Sequence, residues 1–461
     1  MLCISAKANL LFIVPRPEGR GKLKKIFLQK MRRFHFTNTG KFNEKIIPCF
    51  SWFIIVFVIV CRYFHFPFSA TPSGDEPFYT DEINYLVKYG AYNSLAQGTS
   101  FLYLSLVFIF SKIFFISFLV SARILSAIFF IVCTRLFLKC LGHFTNVSFA
   151  EKYIGLSFFC VISFGWVMKG LPDFVSCAFM LASFNLVAGA ANYKRALLAG
   201  VLLFIGFAIK PVTVFAFPAL AVFLFFNQLK TTGWRRNALK TLLFSVGFVL
   251  CFICYHIPGY LAYHKIMLED KNHVYAGDKR IESATTWNER NVYFELYNVH
   301  HKINKWAVTW EEVDSFKQQH PEINLNITAG QYARANPAAW MAHVGYNVFL
   351  ALPYSINHGF FFAKWAVINK FIKNSLIIKL VSLVLIISIC LYEWKFIKQN
   401  FLLLLAPFLF YLGVGCYIVT QLEDNWLLFC LPFLALPVVK FLARYIPVFL
   451  LLLLQFIYLL V

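Results

Sequence analysis

Long apolar runs alternate with short polar breaks along this chain, and the alternation predicts membrane-spanning helices. A run of about 20 apolar residues is long enough to cross a hydrocarbon layer about 30 Å thick. Backbone N–H and C=O groups at that depth have no water to bind, so they pair within helices or closed barrels. The runs that we take as spans are 47–66, 119–140, 153–170, 174–192, 196–210, 212–229, 240–262, 374–392, 400–420, 425–442 and 445–461. The pattern predicts an all-α polytopic membrane protein with about 11 transmembrane helices.

Basic residues near the ends of these runs predict the orientation of the chain, because positively charged loops stay on the cytoplasmic side. Residues 1–45 are rich in Lys and Arg and contain only two Glu, so we expect this segment in the cytoplasm. Three later breaks are also basic, at 135–152, 194–195 and 230–240. All three lie inside only if the apolar segment 101–116 does not cross. We therefore expect that segment to be juxtamembrane or re-entrant.

The same pattern divides the chain into parts. They are a basic cytoplasmic segment (1–45), a transmembrane catalytic module (46–262) with its first outer loop (67–118), an exterior loop domain (263–338) and C-terminal transmembrane helices (339–461). The stretch 263–338 is too long to be a simple connection. Whether 340–362 crosses is left open, because Pro353, Asn357 and His358 interrupt it.

The composition excludes a soluble protein. Only 14% of the 461 residues are charged, against about 25% in soluble domains, and the mean hydropathy is +0.66. The net charge of +22 would suggest nucleic-acid binding in a soluble domain, but here the cytoplasmic loops account for it. Most of the 12 Cys lie in apolar stretches, so we expect no disulfide framework in the exterior parts.

The first outer loop is unusually acidic. Asp75, Glu76, Asp81 and Glu82 place four of the 21 acidic residues of the chain within eight positions. Asp81 and Glu82 fit the first turn of a helix, where negative charge is favourable. Asp75 and Glu76 lie just before Pro77. Asp81 already supplies the negative charge that favours the start of the predicted helix, so Asp75 and Glu76 are not needed for it. We therefore expect Asp75 and Glu76 to be functional.

Four short blocks stand out at the predicted outer ends of the spans. They are D-E-x-x-Y at Asp75, Glu76 and Tyr79, SARILSA around Arg123, LPDFVSCAFMLASF with Asp173, and GVLLFIGFAIKPVTVFAFPAL with Lys210. Over residues 45–230 their order and spacing resemble those of GT-C glycosyltransferases of the protein O-mannosyltransferase and aminoarabinose-transferase type. A weaker likeness lies in QLEDNWLLFCLPFLALP, which contains Glu423 and Asp424.

The resemblance implies an inverting membrane glycosyltransferase. Such an enzyme takes a single sugar from a dolichyl- or undecaprenyl-phosphate donor and passes it to a glycolipid, polysaccharide or protein on the outer face. The exterior stretch 263–338 is smaller than the module of eukaryotic O-mannosyltransferases. That size favours a bacterial inner-membrane protein with a periplasmic active site.

The residues of the four blocks suit this reaction. Asp75 is the predicted general base, because the acceptor hydroxyl must lose a proton as it attacks. Glu76 and Asp173 are the other predicted catalytic carboxylates, and Asp75 with Asp173 would hold a divalent metal if the reaction uses one. Arg123 and Lys210 are expected to bind the donor phosphate, whose charge grows in the transition state. Three further residues are predicted to contact substrate: Tyr79, Glu423 and Asp424.

Several of these residues also have a structural interpretation. Asp173 follows Pro172 and would serve as a helix N-cap, and Arg123 would reach water from the end of a span. Lys210 is harder to explain structurally, because a Lys within a long apolar stretch is costly and usually functional.

Two positions depart from the family pattern. Gln97-Gly98 stand where aminoarabinose transferases carry a Glu-Lys pair, so that donor-phosphate contact does not carry over. Asn425-Trp426 stand where many relatives have an Arg-Tyr pair, which leaves the sugar and the acceptor open.

Two other functions share the predicted topology. A transporter or flippase of lipid-linked sugars would place its site near the bilayer midplane, often between repeated halves. The acidic residues here cluster at the membrane edge, and we find no repeat. A polymerase or ligase of lipid-linked oligosaccharides would use the same outer site with a larger donor.

Overall fold

The structure is a computed structural model. It describes residues 40–72, 76–96, 100–189, 192–227, 233–264, 273–276, 279–282, 315–316, 318–321, 334–346, 348–349, 352, 356, 376–417 and 427–446. The chain forms two compact units, residues 1–53 and 54–461. Within the first unit the structure describes only the beginning of a helix. The second unit holds every other element named below.

The elements are helices apart from a single pair of strands in the described residues. In chain order they are α1 Gly40–His65, α2 Glu76–Ala96, α3 Phe101–Phe114, α4 Phe118–Leu141, α5 Phe149–Ser163, α6 Asp173–Ala188, α7 Tyr193–Ile209, a 3-10 turn Pro211–Phe215, α8 Ala216–Phe226, α9 Trp234–Tyr263, β1 His273–Ala276, β2 Lys279–Glu282, α10 Pro337–Tyr346, α11 Leu376–Tyr392, α12 Trp394–Gln399, α13 Phe401–Tyr417, α14 Leu431–Leu434 and α15 Leu436–Tyr445. The strands pair antiparallel, with His273 opposite Glu282. The predicted helical class is confirmed, and the stretch predicted to be exterior contains this small hairpin.

Two helices among the described residues are long and apolar enough to cross a membrane. They are α4 over its whole length and α9 over Trp234–Ala262. Shorter apolar helices, such as α3, α6 and α13, accompany them. Membrane association of the chain rests on these two helices.

Several helix ends differ from the sequence prediction, and proline accounts for the clearest case. The described part of the predicted span 425–442 is divided between α14 and α15, which meet at Ala435. Pro432 and Pro437 lie in the first turns of these two helices, where a residue without an N–H is tolerated. The prediction of one continuous helix was therefore wrong there. Helix α5 also ends at Ser163, short of the predicted 170.

The segment predicted to be the first outer loop contains helices α2 and α3. Helix α2 bends at Gly90, whose φ of 83° lies in the left-handed region that glycine tolerates best. Helix α3 has 14 residues and is about 21 Å long, less than the hydrocarbon thickness of about 30 Å. This length agrees with the expectation that 101–116 does not cross. The side chain of Ser117 then caps α4.

Helices α7 and α9 cross closely because glycine lies at the crossing on both sides. A Cβ at Gly200 would overlap the carbonyl oxygen of Phe244, and a Cβ at Gly247 would lie 2.5 Å from that of Leu197. Small residues let helix backbones approach in this way. The crossing fixes α7, and with it the position of Lys210 directly after that helix.

Two turns and helix α15 meet at the C-terminal end of α4. The Asn400 side chain binds the backbone of Thr145 through both of its polar atoms, at 2.8 and 3.2 Å. Lys440 Nζ lies 3.2 Å from Glu151 Oε1 and donates to the carbonyl of Asn146 at 2.6 Å. These contacts bring the turn after α4, the turn after α12 and helix α15 to one end of the second unit.

Candidate functional site

Five of the predicted site residues lie in the described part of the chain. They are Glu76, Tyr79, Arg123, Asp173 and Lys210. The remaining three, Asp75, Glu423 and Asp424, lie outside the described residues, so their predicted roles stay predictions. Four of them form two ion pairs, and Tyr79 makes aromatic contacts with Phe78 and Tyr103.

Helix ends bring these side chains together. Glu76 is the first residue of α2, and Asp173 is the first residue of α6. Arg123 lies in the second turn of α4, and Lys210 follows α7 in an extended conformation. The predicted order of motifs along the chain therefore becomes a group of helix termini in space.

Glu76 and Arg123 form a buried bidentate ion pair. Arg123 Nε donates to Glu76 Oε1 at 2.9 Å, and Nη2 donates to Oε2 at 2.7 Å. Both side chains are fully buried. Glu76 Oε1 also accepts the backbone N–H of Gly170 at 2.7 Å. Two parallel hydrogen bonds between ionised groups make this a strong and geometrically specific contact.

Arg123 uses its remaining donors on the loop that precedes Glu76. Nη1 donates to the carbonyls of Phe68 and Ala70 at 2.8 and 2.6 Å, and Nη2 donates to that of Thr71 at 3.1 Å. A guanidinium has five N–H donors, and these contacts occupy all of them. In this arrangement Arg123 has no donor left for a phosphate, so its geometry favours holding the loop over the predicted phosphate contact.

Arg62 supports the same region and was not predicted from the sequence. Its Nε donates to the carbonyl of Val167 at 2.9 Å, just before Gly170. The guanidinium groups of Arg62 and Arg123 lie 4.7 and 4.6 Å from the ring centre of Phe66. Such cation–π contacts stabilise the pair of charges in an apolar setting. An Arg at the end of a span gives no sequence signal that separates this role from simple exposure to water.

Asp173 and Lys210 form the second ion pair. Lys210 Nζ donates to Asp173 Oδ1. The carboxylate side chain is 3% exposed and the Lys side chain 13%. The N-cap interpretation of Asp173 was wrong, because Pro172 occupies the cap position and Asp173 is the first helical residue. Its carboxylate is paired with Lys210 instead.

A buried hydroxyl pair holds the backbone beneath Lys210. Ser176 Oγ lies 2.6 Å from Thr213 Oγ1 and 3.2 Å from the carbonyl of Gly206. These bonds join α6 to the end of α7 and to the 3-10 turn, on both sides of Lys210. The relative position of Asp173 and Lys210 is therefore fixed by their backbones as well as by their charges.

Tyr103 of α3 completes the site and was also missed from the sequence. It is fully buried, and its ring packs edge-on against Tyr79 with centroids 5.5 Å apart. Burial raises the pKa of Tyr103 well above its usual value, and the charges of Asp173 and Glu76 raise it further. The phenol therefore stays protonated and keeps a hydroxyl group that can donate a hydrogen bond.

The two ion pairs of the site differ in exposure: the Glu76–Arg123 pair is fully buried, whereas the Asp173–Lys210 pair has a partly exposed cation. Glu76 is saturated by Arg123 and Gly170, so its geometry favours a structural role over the predicted catalytic one. Lys210 keeps part of its side chain exposed. Among the described residues no three His, Cys, Asp or Glu side chains converge in a metal-binding group. The predicted metal contact of Asp75 with Asp173 stays a prediction.

The chain was compared with models of protein families, with characterised proteins and with solved structures. No family model matches it. No characterised protein and no solved structure matches it either.

Proposed function

We propose that this chain is a polytopic GT-C-type glycosyltransferase of the bacterial inner membrane. It transfers one sugar from a polyprenyl-phosphate donor to an acceptor on the periplasmic face. The observation that carries the proposal is the Asp173–Lys210 pair. It combines a buried carboxylate with a partly exposed cation, at helix ends next to the anchored first outer loop.

The two ends of α4 support the orientation in this proposal. Helix α4 has 24 residues, so its ends are about 36 Å apart. Arg135 and Lys139 lie near its C-terminal end, and Lys440 and Arg444 reach the same end of the unit. Such a concentration of positive charge is typical of a cytoplasmic surface. The Glu76 and Asp173 end is then the outer one.

The same contacts bear on the segment 340–362. Its crossing would reverse the side on which α11 ends. The side chain of Asn400, which follows α11 and α12, binds the turn after α4. Both turns then lie on the cytoplasmic side, which requires that 340–362 makes no net crossing. About 11 spans, as the sequence predicts, are compatible with this arrangement.

The lipid tail of the donor suits this location. The tail holds the donor phosphate at the depth of the lipid headgroups, so the reacting carbon lies at the membrane edge. Lys210 neutralises the charge that grows on the leaving phosphate. Asp75 removes the proton from the acceptor hydroxyl as the oxygen attacks the anomeric carbon. The C–O bond to phosphate breaks on the opposite face, so the configuration inverts.

Arg123 and Glu76 have a positioning role in this reaction. Arg123 binds the carbonyls of Phe68, Ala70 and Thr71 on one side of residue 75 and the Glu76 carboxylate on the other. Described residues on both sides of the proposed base in the sequence are therefore anchored to the same guanidinium group. Orientation of this kind supplies a large share of catalysis when reacting groups must meet at a fixed depth.

The test is sugar release by the purified full-length protein. Wild type, Asp75→Asn and Asp81→Asn are incubated in detergent with radiolabelled polyprenyl-phosphate sugars and extracted membrane glycolipid. We expect wild type and Asp81→Asn to transfer or release the sugar, because Asp81 is an exposed residue of the same loop. Asp75→Asn should lose this activity by at least about 100-fold.

Two results would count against the proposal. Retained turnover in Asp75→Asn would remove Asp75 as the base. If wild type binds lipid-linked sugars but releases none of them, a flippase or an enzyme for larger lipid-linked oligosaccharides becomes the better explanation.

A further inference from the structure

The hydroxyl group of Tyr103 is buried and has no hydrogen-bond partner among the described residues. The side chain is 0% exposed, and its oxygen contacts no donor or acceptor in the part of the chain that the structure describes. Buried hydroxyl groups are nearly always satisfied, since leaving one unpaired is destabilising. Replacing this Tyr with Phe would avoid the penalty. The hydroxyl is therefore expected to find its partner in another state of the protein.

Its neighbours indicate which partner is within reach. Tyr103 packs in one apolar cluster with Leu171 and Val175, which stand two residues before and after Asp173. The same cluster contains Ile209, the residue that precedes Lys210. Tyr103 thus belongs to the buried cluster that also contains residues next to both members of the Asp173–Lys210 pair. The raised pKa of Tyr103, to which the Asp173 charge contributes, agrees with this placement.

Asp173 would need a second hydrogen-bond donor if a ligand drew Lys210 away from it. An anion that binds Lys210 competes with Asp173 for the same ammonium group. The Asp173 side chain is 3% exposed, so loss of its cation would leave a buried charge unpaired, which is strongly unfavourable. A neutral hydroxyl nearby that is free to donate would remove much of that cost.

We propose that Tyr103 is a positioning residue whose hydroxyl donates a hydrogen bond to Asp173 when Lys210 turns to an anionic ligand. No proton is transferred in this exchange. Tyr103 keeps its proton, Asp173 stays ionised, and Lys210 stays charged. The inference rests on the proposed function in one respect: it takes the anion to be the phosphate of a lipid carrier.

The test measures binding of undecaprenyl phosphate to the purified full-length protein, so it does not depend on sugar transfer. The variants are Tyr103→Phe, Asp173→Asn and the double variant. Tyr411→Phe is the matched control, because Tyr411 is also fully buried but its hydroxyl bonds to Val348 and Leu352 at 2.9 and 3.2 Å. Thermal unfolding of each variant is recorded without ligand.

We expect opposite behaviour from the two Tyr variants. Tyr103→Phe should unfold at the wild-type temperature or above it, yet bind undecaprenyl phosphate about tenfold more weakly, as for one lost hydrogen bond to a charged group. Tyr411→Phe should unfold at a lower temperature and bind normally. In the Asp173→Asn background, Tyr103→Phe should change the affinity no further, because no buried charge is left to stabilise.

Three results would overturn the inference. They are wild-type affinity in Tyr103→Phe, a clear loss of its thermal stability, and an equal loss of affinity in the Asp173→Asn background, which would mean that the hydroxyl contacts the ligand directly. Failure of wild type to bind undecaprenyl phosphate would overturn the proposed function as well. Binding without sugar transfer would count against the proposed function alone.

Discussion

Ion pairs lie at both the N-terminal and the C-terminal end of α4, and the two ends differ in the groups that their cations bind. At the N-terminal end, Arg123 spends every donor on Glu76 and on loop carbonyls. At the C-terminal end, Lys440 binds Glu151, and Arg444 lies 3.1 Å from Glu393. The C-terminal pairs join residues 289 and 51 positions apart in the chain.

We interpret the C-terminal end of α4 as a structural contact and the N-terminal end as the candidate functional site. At the C-terminal end, Glu151 completes the capping box of α5 with Ser148. Glu393 stands at the N-cap position of α12, but its side chain makes no capping hydrogen bond. Among the described residues, both ends hold buried polar atoms without a hydrogen bond, among them the Tyr103 hydroxyl at the N-terminal end and Glu393 Oε1 at the C-terminal end. Interactions that only maintain a fold leave few polar groups unsatisfied. We expect the ligand at the N-terminal end, because the unpaired hydroxyl there lies among the residues of the predicted site.

The largest effect is expected from removing the two arginines. Arg123→Met leaves the fully buried Glu76 without its cation and should cost about 3–5 kcal/mol of stability. Arg444→Met should cost less, because the Arg444 side chain is 43% exposed, but it also leaves the Glu393 carboxylate, which is 2% exposed, without its ion-pair partner. Thermal or denaturant unfolding in detergent measures both. Equal losses would show that the two ends are equally buried in their membrane environment.

The two lysines provide a closely matched comparison. Lys210 and Lys440 both bind a carboxylate, and their side chains are both 13% exposed. Lys210→Met should weaken binding of undecaprenyl phosphate at least about tenfold, the loss of one charge-assisted contact. Lys440→Met should leave that binding unchanged and lower the stability by about 1 kcal/mol. Equilibrium binding and unfolding of both variants decide the matter. Normal binding by Lys210→Met would remove Lys210 from the ligand site.

The smallest effect concerns the pH dependence of the C-terminal end. Burial raises the pKa of Glu393 above its ordinary value of 4.5, and Arg444 and Lys440 partly oppose this. The folded protein therefore favours the protonated form more than the unfolded chain does. The resulting stabilisation is present below the ordinary pKa and is lost as the pH rises through the raised one. The unfolding temperature of wild type should fall relative to that of Glu393→Gln as the pH rises from about 4.5. Parallel pH profiles for the two proteins would contradict the assignment.

Part of the fold could be predicted because it depends on local pattern. The span predicted at 119–140 is the helix Phe118–Leu141 in the structure, since an uninterrupted apolar run has one regular conformation available in a membrane. The prediction failed at 425–442 because hydropathy does not weigh Pro432 and Pro437. Those residues interrupt backbone hydrogen bonding while remaining apolar.

The candidate site was predictable only as a set of residue types. The motif order brought Glu76, Arg123, Asp173 and Lys210 to attention, but not which carboxylate pairs with which cation. Tyr103 stood in the apolar run FLYLSLVFIF, where a Tyr looks like an ordinary core residue. Its importance rests on the missing hydrogen-bond partner of its hydroxyl among the described residues. Such an absence can be recognised only when the positions of the neighbouring side chains are known.

The sequence by itself determined the helical class, the apolar character and the expected orientation of the chain. Each of these depends on hydrophobicity and charge summed over many neighbouring residues. Only the tertiary structure decided that Arg123 serves the loop and that Asp173 pairs with Lys210. Those choices depend on single donor–acceptor distances between helix ends that lie tens of residues apart. Such distances follow from the packing of whole helices, so no local pattern in the sequence contains them.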